Sequence, residues 1–550
     1  MQINVTNPVT KLDYPDPDVI RVGDTYYMVS TTMHFMPGCE MLRSFDLVHW
    51  EHMSYVYDRL DSTPGQKLEN GENIYGQGMW AASLRFHKGL FYICFAANDT
   101  GKTYLFTAES AAGPWERHSM EGFYHDGSLL FDDDGRVYIA YGNKEVYITE
   151  LKPDLSGPLE GGLHRLAVSD AGHPGLGYEG THFYKINGKY YLFFIHSLRD
   201  RWMRAEACFM AESLEGEFTG GDVLADDMGY CGQGVAQGGI VDVPDGRWYA
   251  MLFQDRGAVG RIPVLVPVCW EDDMPVFGEG GRAPGEFTVF SGDFSKDAAC
   301  RGSGDLHAGH SYEPLVQSDD FRGETGLGRA EEARRYGCFG LKSPWQFSHE
   351  PDLSHVRLDR QQGTLWMTAG RTCRGLTQAK NILTQRMCWP SCAGEVTVDA
   401  GALKEGDYAG ICALQGCFGL VGVTRRDGGL YVVMQEEAAL TEPCKTYGTM
   451  QPAEFGEHAD QGNGTGSAER EAVPVTGSII RLKIEADFTD MKDEARFSYM
   501  DAEGWKMIGV PHKLYFRLDH FTGCRFGLFF YATRTPGGAA GFRDFVYSRG

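Results

Sequence analysis

The first 280 residues repeat one pattern of apolar and polar positions. An alternating apolar strand, a turn containing Gly or Asp, and an aromatic-rich second strand follow one another five times. Alternation places apolar side chains on one face of a strand, and Gly or Asp permits a tight turn, so each copy predicts a β-hairpin. The five copies read DVIRVGDTYYMVS, SLRFHKGLFYICF, SLLFDDDGRVYIAYG, HFYKINGKYYLFF and GIVDVPDGRWYAML.

The spacing of the hairpins indicates how they assemble. Their second aromatic residues lie 46 to 65 residues apart, at Tyr27, Tyr92, Tyr138, Tyr191 and Tyr249. Five similar hairpins at roughly this spacing predict a five-bladed β-propeller. A propeller also leaves few strand edges open to pairing, which suits a chain with so many strands.

The start of each hairpin carries the most informative residues. Counting back 11 or 12 positions from the marked aromatics reaches Asp16, Trp80, Asp126, Glu179 and Gln237. The first strand of a propeller blade lines the central axis, so we expect these five residues to share one structural position at one end of the axis. Three of them are carboxylates. Turn formation explains each acid singly, as for Asp16 before Pro17, but leaves their convergence unexplained.

Converging carboxylates are typical of glycoside hydrolysis. One carboxyl group with a raised pKa protonates the leaving oxygen, and the other activates a water molecule or attacks the sugar. A third carboxylate nearby raises the pKa of the acid by charge repulsion and orients it. Trp80 is placed to stack on a sugar face, and the alternative for Trp80 is a buried residue of the blade.

Five segments of this half resemble glycoside hydrolase family 43. They are YPDPDVI (14–20), WAASLRF (80–86), HDGSLLFDDDGRVY (125–138), YEGTHFYKINGKYYL (178–192) and GRIPVLVPVCWEDDMPVFG (260–278). The resemblance implies a five-bladed propeller that acts on xylose- and arabinose-containing glycans with inversion at the anomeric carbon. Inversion predicts that the base and acid carboxyl groups stand roughly 6.5–9.5 Å apart.

The resemblance also implies a role for individual residues. Asp16 matches the general base, Glu179 the general acid, and Asp126 the residue that orients the acid and modulates its pKa. Arg261 looks like the arginine that hydrogen-bonds the terminal sugar, with a surface ion pair as the alternative. Phe35 resembles the aromatic wall of the pocket.

Gln237 departs from the pattern of this family. Many members carry a histidine there that helps to bind a central calcium ion. A glutamine offers one carbonyl oxygen to a hard cation, but a water network suits it equally well. We therefore expect Gln237 on the substrate side of the site, no metal among the site residues and no required cofactor, with Ca²⁺ on the propeller axis as the open alternative.

The second half of the chain has a different pattern. The segment 291–318 is polar, and long alternating strands resume at Ser318, as in a two-sheet sandwich. We expect a propeller over 1–300, a linker over 301–317, a β-sandwich over 318–550, and a flexible loop in the Gly-rich segment 456–472.

The pieces NILTQR (381–386), GDYAGICALQG (406–416) and FTGCRFGLFFYATRTPGG (521–538) resemble the concanavalin-like jelly roll appended to family 43 β-xylosidases. The resemblance implies that one sandwich loop helps to close the propeller pocket. Phe521 is the candidate for this contact, and a core aromatic of the sandwich is the alternative.

Composition and charge narrow the partners. Asp and Glu number 75 against 51 Lys and Arg, giving a net charge of −24 that disfavours a nucleic-acid partner. The sequence contains no run of 18 apolar residues, so we expect no membrane span. The N-terminus has neither the basic nor the apolar region of a signal peptide, so we expect none. The 14 cysteines show no zinc-binding spacing, as expected for a reduced, cytoplasmic protein. The sequence leaves open whether the protein forms a homo-oligomer.

These features favour an exo-acting inverting glycosidase that releases terminal α-L-arabinofuranosyl or β-D-xylosyl units from hemicellulose oligosaccharides. A non-catalytic carbohydrate-binding propeller is one alternative, but binding alone does not need a raised-pKa acid. An endo-arabinanase is another, but it would need an open groove. A retaining β-fructosidase is disfavoured because an Asn-Asp-Pro-Asn motif is missing near the start.

Overall fold

The computed structural model describes residues 2–290, 307, 309–324, 327, 334–337, 339–437 and 467–550. In these ranges the chain forms β-strands joined by turns and by short 3₁₀ helices, which are Gly257–Val259, Leu353–His355, Leu376–Gln378 and Thr489–Met491. None of the helices in these ranges is long and apolar enough to cross a bilayer. The predicted all-β class is confirmed.

Five four-stranded antiparallel sheets follow strand β1 (Gln2–Thr6) and form the five blades of the predicted propeller. Blade 1 contains β2 (Asp18–Val22), β3 (Thr25–Ser30), β4 (Gly38–Ser44) and β5 (Glu51–Tyr57). Blade 2 contains β6 (Met79–His87), β7 (Leu90–Ala97), β8 (Lys102–Ala108) and β9 (Glu116–His118). Blade 3 contains β10 (Ser128–Phe131), β11 (Val137–Asn143), β12 (Glu145–Leu151) and β13 (His164–Ser169).

Blade 4 contains β14 (Glu179–Ile186), β15 (Lys189–Ser197), β16 (Arg204–Ala211) and β17 (Thr219–Leu224). Blade 5 contains β18 (Ala236–Asp242), β19 (Trp248–Asp255), β20 (Arg261–Glu271) and β21 (Met274–Phe277). The next strand, β22 (Glu286–Phe290), pairs antiparallel with β1, so the two ends of this region meet. Each blade begins with one of the hairpins predicted from the alternating pattern.

The five residues matched by counting do not share one position, which corrects that expectation. The strand pairing makes Asp18, Ser83, Ser128, His182 and Gly239 equivalent, because each faces the residue two beyond the marked aromatic. Two positions before them the backbone has a positive φ between 29° and 64°, at Asp16, Ala81, Asp126, Gly180 and Gln237. Trp80 and Glu179 stand one residue before this bend.

Turn length explains the error. The hairpin turns of blades 1, 2 and 4 contain two residues, whereas those of blades 3 and 5 contain five. Blades 3 and 5 also have one strand pair fewer between the equivalent position and the turn. The bend therefore lies 12 residues before the aromatic in these two blades and 11 before it in the other three. The side chains of Asp16 and Asp126 branch from the backbone at the bend itself. The side chain of Glu179 branches one residue earlier, next to a β-bulge. The bulge changes the direction of this side chain.

The second half forms two packed antiparallel sheets. The seven-stranded sheet contains β23 (Gln346–Phe347), β26 (Leu383–Arg386), β36 (Arg525–Ala532), β28 (Asp407–Gln415), β29 (Cys417–Arg426), β30 (Gly429–Glu437) and β31 (Ala468–Val475), in that order. The eight-stranded sheet contains β24 (Val356–Asp359), β25 (Thr364–Thr368), β37 (Ala539–Arg549), β27 (Ser391–Asp399), β32 (Ile479–Asp487), β33 (Glu494–Asp501) and β34 (Gly504–Met507), with β35 (His512–Lys513) beside β33.

The expected flexible loop over 456–472 is wrong at its C-terminal end. Residues 468–472 belong to β31, an edge strand whose charged side chains face solvent, and 456–466 lie outside the described residues. Charges on an edge strand discourage pairing with another chain, which explains why this strand has a loop-like composition. In the predicted linker, 301–306 and 308 lie outside the described residues, while Tyr312 and Glu313 bind blade 1. The domain boundaries stay predictions.

One apolar core joins the two halves. Buried residues of blades 1 and 5, such as Met28 and Leu265, belong to the same cluster as sandwich residues such as Leu383 and Phe526. A buried arginine of β26 adds polar contacts across this boundary. Arg386 donates from Nε to the backbone oxygen of Asp13 at 2.8 Å and pairs through Nη1 with Glu40 Oε2 at 2.7 Å.

Candidate active site

The structure brings Asp126 and Glu179 together at one end of the propeller. One carboxylate oxygen from each lies within 4.8 Å of the other and of a ring nitrogen of His125. Asp126 Oδ2 accepts the backbone N–H of Gly180 at 3.0 Å, so the residue after Glu179 is tied to Asp126. Glu179 Oε2 accepts a hydrogen bond from Asn143 Nδ2 at 2.5 Å.

The surroundings of Glu179 give it the character of an acid. Desolvation by the surrounding protein raises its pKa most, and the charge of Asp126 raises it further. His125, Arg204 and Arg261 oppose these effects, and together they leave the pKa of Glu179 at about 7. A carboxyl group with this pKa is still half protonated near neutrality and can donate a proton.

Asp16 has a different environment. It is buried, and burial raises its pKa above the ordinary value, although Arg261 and Thr31 favour the charged form and partly offset this rise. Arg261 Nη1 donates to Oδ1 at 2.6 Å, and Thr31 Oγ1 donates to Oδ2 at 2.5 Å. Thr31 in turn accepts the backbone N–H of Ala81 at 2.8 Å, so blade 2 helps to hold the group. The arrangement suits a carboxylate that accepts a proton.

Arg261 belongs to a buried chain of alternating charges. Its Nε lies 3.3 Å from Asp255 Oδ1, while Arg204 Nε donates to Asp255 Oδ2 at 2.8 Å. All three side chains are buried, so the alternative of a surface ion pair for Arg261 is wrong. The chain connects Asp16 to Arg204, whose charge acts on Glu179.

An aromatic residue of the sandwich enters this site. Phe521 is buried, and the guanidinium carbon of Arg261 lies 3.5 Å from the centre of its ring. Trp80 meets the same ring edge to face, with centroids 5.0 Å apart. Phe521 also packs in a small apolar cluster with Met33. Residues from both domains therefore form one wall beside Arg261.

Two other candidate residues, Phe35 and Gln237, are placed by contacts with residues other than Asp16, Asp126 and Glu179. Phe35 is buried at the boundary between the domains, where the guanidinium carbon of Arg525 lies 3.4 Å from its ring centre. Gln237 donates its backbone N–H to Glu206 Oε2 at 2.6 Å. Its side chain packs against Gly180, where a Cβ would come within 2.4 Å of Gln237 Cδ. Gln237 thus supports the backbone next to Glu179.

An arginine supplies the positive charge on the propeller axis. Arg85 Nη1 donates to Asp18 Oδ2 at 2.7 Å, and Nη2 donates to Ser128 Oγ at 2.7 Å and to the backbone oxygen of Phe183 at 3.3 Å. Calcium takes six to eight oxygen ligands. Because Asp18 already faces a guanidinium group, this donor set does not fit the axial calcium ion, and no step below involves it.

Comparison with known proteins identifies the family. The model of glycosyl hydrolases family 43 matches residues 5–275. The model of the β-xylosidase C-terminal concanavalin A-like domain matches 340–454 and 455–548. The chain belongs to glycosyl hydrolase family 43. It is also 31% identical over 404 residues to a putative β-xylosidase of Xylanibacter ruminicola, covering 72% of this chain and 69% of that protein.

Two further proteins similar to this family-43 chain have names that combine two activities or domains. A xylosidase/arabinosidase of Butyrivibrio fibrisolvens is 31% identical over 351 residues, which cover 58% of this chain and 64% of that protein. The solved structure of a bifunctional GH43-CE protein of Bacteroides eggerthii is 40% identical, with a TM-score of 0.84. The match covers 100% of this chain and 64% of that one.

Sequence reasoning missed several residues of this family-43 site. His125 stands directly before Asp126, and its Nε2 lies 3.7 Å from Asp126 Oδ2. The charge of Asp126 raises the pKa of His125. Its place in the segment HDG was a signal that could have been used. Arg204 and Asp255 stand 51 residues apart in sequence, and only the packing of blades 4 and 5 brings them together.

Proposed function

We propose that this family-43 protein is an exo-acting, inverting glycosidase that releases terminal α-L-arabinofuranosyl or β-D-xylosyl units from hemicellulose oligosaccharides. The observation that carries the proposal is the contrast between two carboxyl groups. Glu179 has a pKa of about 7 beside Asp126, while Asp16 accepts hydrogen bonds from Arg261 and Thr31. Environments that differ in this way separate an acid from a base.

The acid step uses Glu179. As the bond from C1 to the leaving oxygen breaks, the proton of Glu179 passes to that oxygen, and a neutral alcohol leaves. Burial and the charge of Asp126 keep the proton on Glu179 until this moment, because both desolvation and a second negative charge within 4.8 Å disfavour ionisation. The hydrogen bond to the Gly180 amide fixes Asp126 relative to the acid.

The base step uses Asp16. A water molecule attacks C1 from the face opposite the leaving group, and its proton passes to Asp16, so the product has the inverted configuration. Arg261 and Thr31 orient the carboxylate for this transfer. Exchange with solvent then restores the starting protonation states, because Asp16 loses a proton and Glu179 gains one.

The wall formed by Phe521 and Trp80 supports exo action. A groove that binds the middle of a polysaccharide must be open at both ends, whereas an aromatic wall closes one side. Phe521 comes from the sandwich and contacts Arg261, the residue expected to bind the terminal sugar. Relatives named for xylosidase and arabinosidase activities support both candidate sugars.

The test is a panel of aryl α-L-arabinofuranosides, β-D-xylosides, galactosides and fructans, with NMR detection of the first anomer released. We expect hydrolysis of at least one of the first two and release of the inverted anomer. Release of the retained anomer would overturn the mechanism. Hydrolysis of none of them would favour the binding propeller instead.

Variants separate the acid from the base. Glu179→Gln and Asp16→Asn should each lower kcat by about 10²–10⁴-fold on glycosides with poor leaving groups. A good leaving group needs no proton, so it should restore much of the rate in Glu179→Gln but little in Asp16→Asn. Glu212→Gln, which changes an exposed acid of blade 4, is the matched control. Near-normal turnover of either site variant would reject its assigned role.

A further inference from the structure

A second cluster of metal-binding residue types lies in the segment 170–178, which joins β13 to β14 and leads directly into Glu179. The cluster consists of Asp170, His173 and His196, and one ligand atom from each lies within 4.8 Å of the others. The first two residues stand in the segment itself, and His196 stands on β15.

The three side chains have polar atoms that are buried without a partner. Within the described part of the chain, Asp170 Oδ2, His173 Nε2 and His196 Nδ1 make no hydrogen bond. His173 and His196 are only 4% and 6% exposed. A polar atom removed from water without a partner is costly, so a ligand that satisfied these three atoms would gain free energy.

The outer contacts of His196 and Asp170 each leave one ligand atom free. His196 Nε2 lies 2.8 Å from Asp222 Oδ1, which places a proton on Nε2 and a lone pair on Nδ1. Asp170 Oδ1 accepts Arg199 Nη1 at 2.9 Å, and Oδ2 is left for a ligand. A carboxylate behind a histidine is a common second layer of metal sites, because it fixes the tautomer and the ring orientation.

A contact of His173 opposes binding, as does the positive charge of Arg199 beside Asp170. Gly175 donates its backbone N–H to His173 Nδ1 at 3.0 Å, so the proton of the neutral ring is on Nε2. A metal on Nε2 requires that proton to move to Nδ1 and the contact with Gly175 to open. The site is therefore only partly preformed, and its affinity should be lower than that of a fully preorganised site.

The cluster at the catalytic carboxylates is a weaker candidate. His125, Asp126 and Glu179 show the same spacing. However, Asp126 Oδ2 already accepts the Gly180 amide, and Glu179 Oε2 already accepts Asn143. A metal there would have to displace existing hydrogen bonds.

We propose that Asp170, His173 and His196 bind one transition-metal ion such as Zn²⁺, at a site separate from the catalytic carboxylates. Two imidazoles and one carboxylate suit Zn²⁺ or Co²⁺, whereas Ca²⁺ and Mg²⁺ prefer oxygen ligands alone. Three protein ligands leave one tetrahedral position for water. The ion ties the segment before Glu179 to β15.

The experiment uses the full chain after removal of metals with a chelator. Calorimetric titration with Zn²⁺ and the visible spectrum of added Co²⁺ report stoichiometry and ligand geometry. We expect one ion per chain, and a loss of affinity of at least about 100-fold in His173→Ala and His196→Ala. Asp222→Asn keeps all three ligands and should weaken binding by about 10–100-fold.

Control variants locate the ion. His164→Ala changes a histidine of β13 that is hydrogen-bonded to Thr149, and it should bind the metal as the wild type does. His125→Ala should also keep the ion. No binding by the wild type, binding that persists in the His173→Ala/His196→Ala double variant, or loss of binding only in His125→Ala would each overturn the proposal. Circular dichroism in chelator identifies variants that fail to fold, in which case Asp222→Asn decides.

Discussion

Replacing Asp126 by Asn tests how the acidity of Glu179 arises. Burial raises the pKa of Glu179 most, and the charge of Asp126 is the second cause. The substitution removes that charge but keeps an oxygen that can accept the Gly180 amide. The pKa of Glu179 should therefore fall without a large change in shape.

One oxygen of each carboxyl group lies within 4.8 Å of the other, and this upper bound on their separation gives the magnitude. Unit charges 4.8 Å apart repel by about 3.5 kcal/mol at an effective dielectric constant of about 20, and by about 0.9 kcal/mol in water. One pKa unit corresponds to about 1.4 kcal/mol, so these limits are about 2.5 and about 0.6 units. We expect a fall of about 1–2 units from the wild-type pKa of about 7.

The assay is the pH dependence of kcat/KM on a glycoside with a poor leaving group. Because Glu179 must be protonated, activity in the wild type should decline as the pH rises through about 7, and this decline should move to lower pH in Asp126→Asn. Carbon-13 NMR titration of the Glu179 carboxyl group, assigned with Glu179→Gln, measures the same pKa without turnover.

A charge in the turn between β10 and β11 serves as the control for Asp126→Asn. Asp133→Asn removes an exposed acid from the same blade and should leave the profile of the wild type unchanged. A pKa of Glu179 in Asp126→Asn that is unchanged or higher, measured by NMR in a folded protein, would refute the electrostatic explanation.

Two further predictions concern the axis and the wall. Arg85→Met leaves Asp18 buried without its counter-charge and should lower the free energy of unfolding in urea by about 3–5 kcal/mol. Arg201→Met, which changes an exposed ion pair, should barely alter the urea midpoint of unfolding. Equal destabilisation by Arg85→Met and Arg201→Met would contradict the predicted role of Arg85. Phe521→Ala removes the ring beside Arg261 and should lower kcat/KM of the folded enzyme between a few-fold and about 30-fold. Phe86→Ala, at an exposed ring on blade 2, is its control, and unchanged kcat/KM in Phe521→Ala would refute a role in the pocket.

Local pattern was enough to predict the propeller, because a hairpin is specified within about 13 residues of sequence. Alternation chooses the buried face, and the turn residues choose where the chain reverses. The five hairpins from β2–β3 to β18–β19 follow this rule, and the blades are confirmed. The edge strand β31 was missed because an edge exposed to solvent does not need alternation.

The chemistry of the site was partly visible in the sequence. Asp16 and Asp126 stand at equivalent bends, so the repeat itself marks them. Glu179 was found through an approximate count, since the turn lengths of the blades differ. The environment that separates the acid from the base had no signal of its own, because it depends on Arg204, Arg261 and Asp255 meeting across two blades.

By itself the sequence determined the fold class, the five hairpins and the acidic residues that the family resemblance assigns to hydrolysis, because each is written in short-range pattern. Only the tertiary structure decided which charges oppose one another in the site. It placed Arg85 on the axis, brought Phe521 from the sandwich onto Arg261, and assembled Asp170 and His173 with His196. The physical reason is that charge, burial and hydrogen bonding act over distances of a few ångströms in space, whatever the separation along the chain.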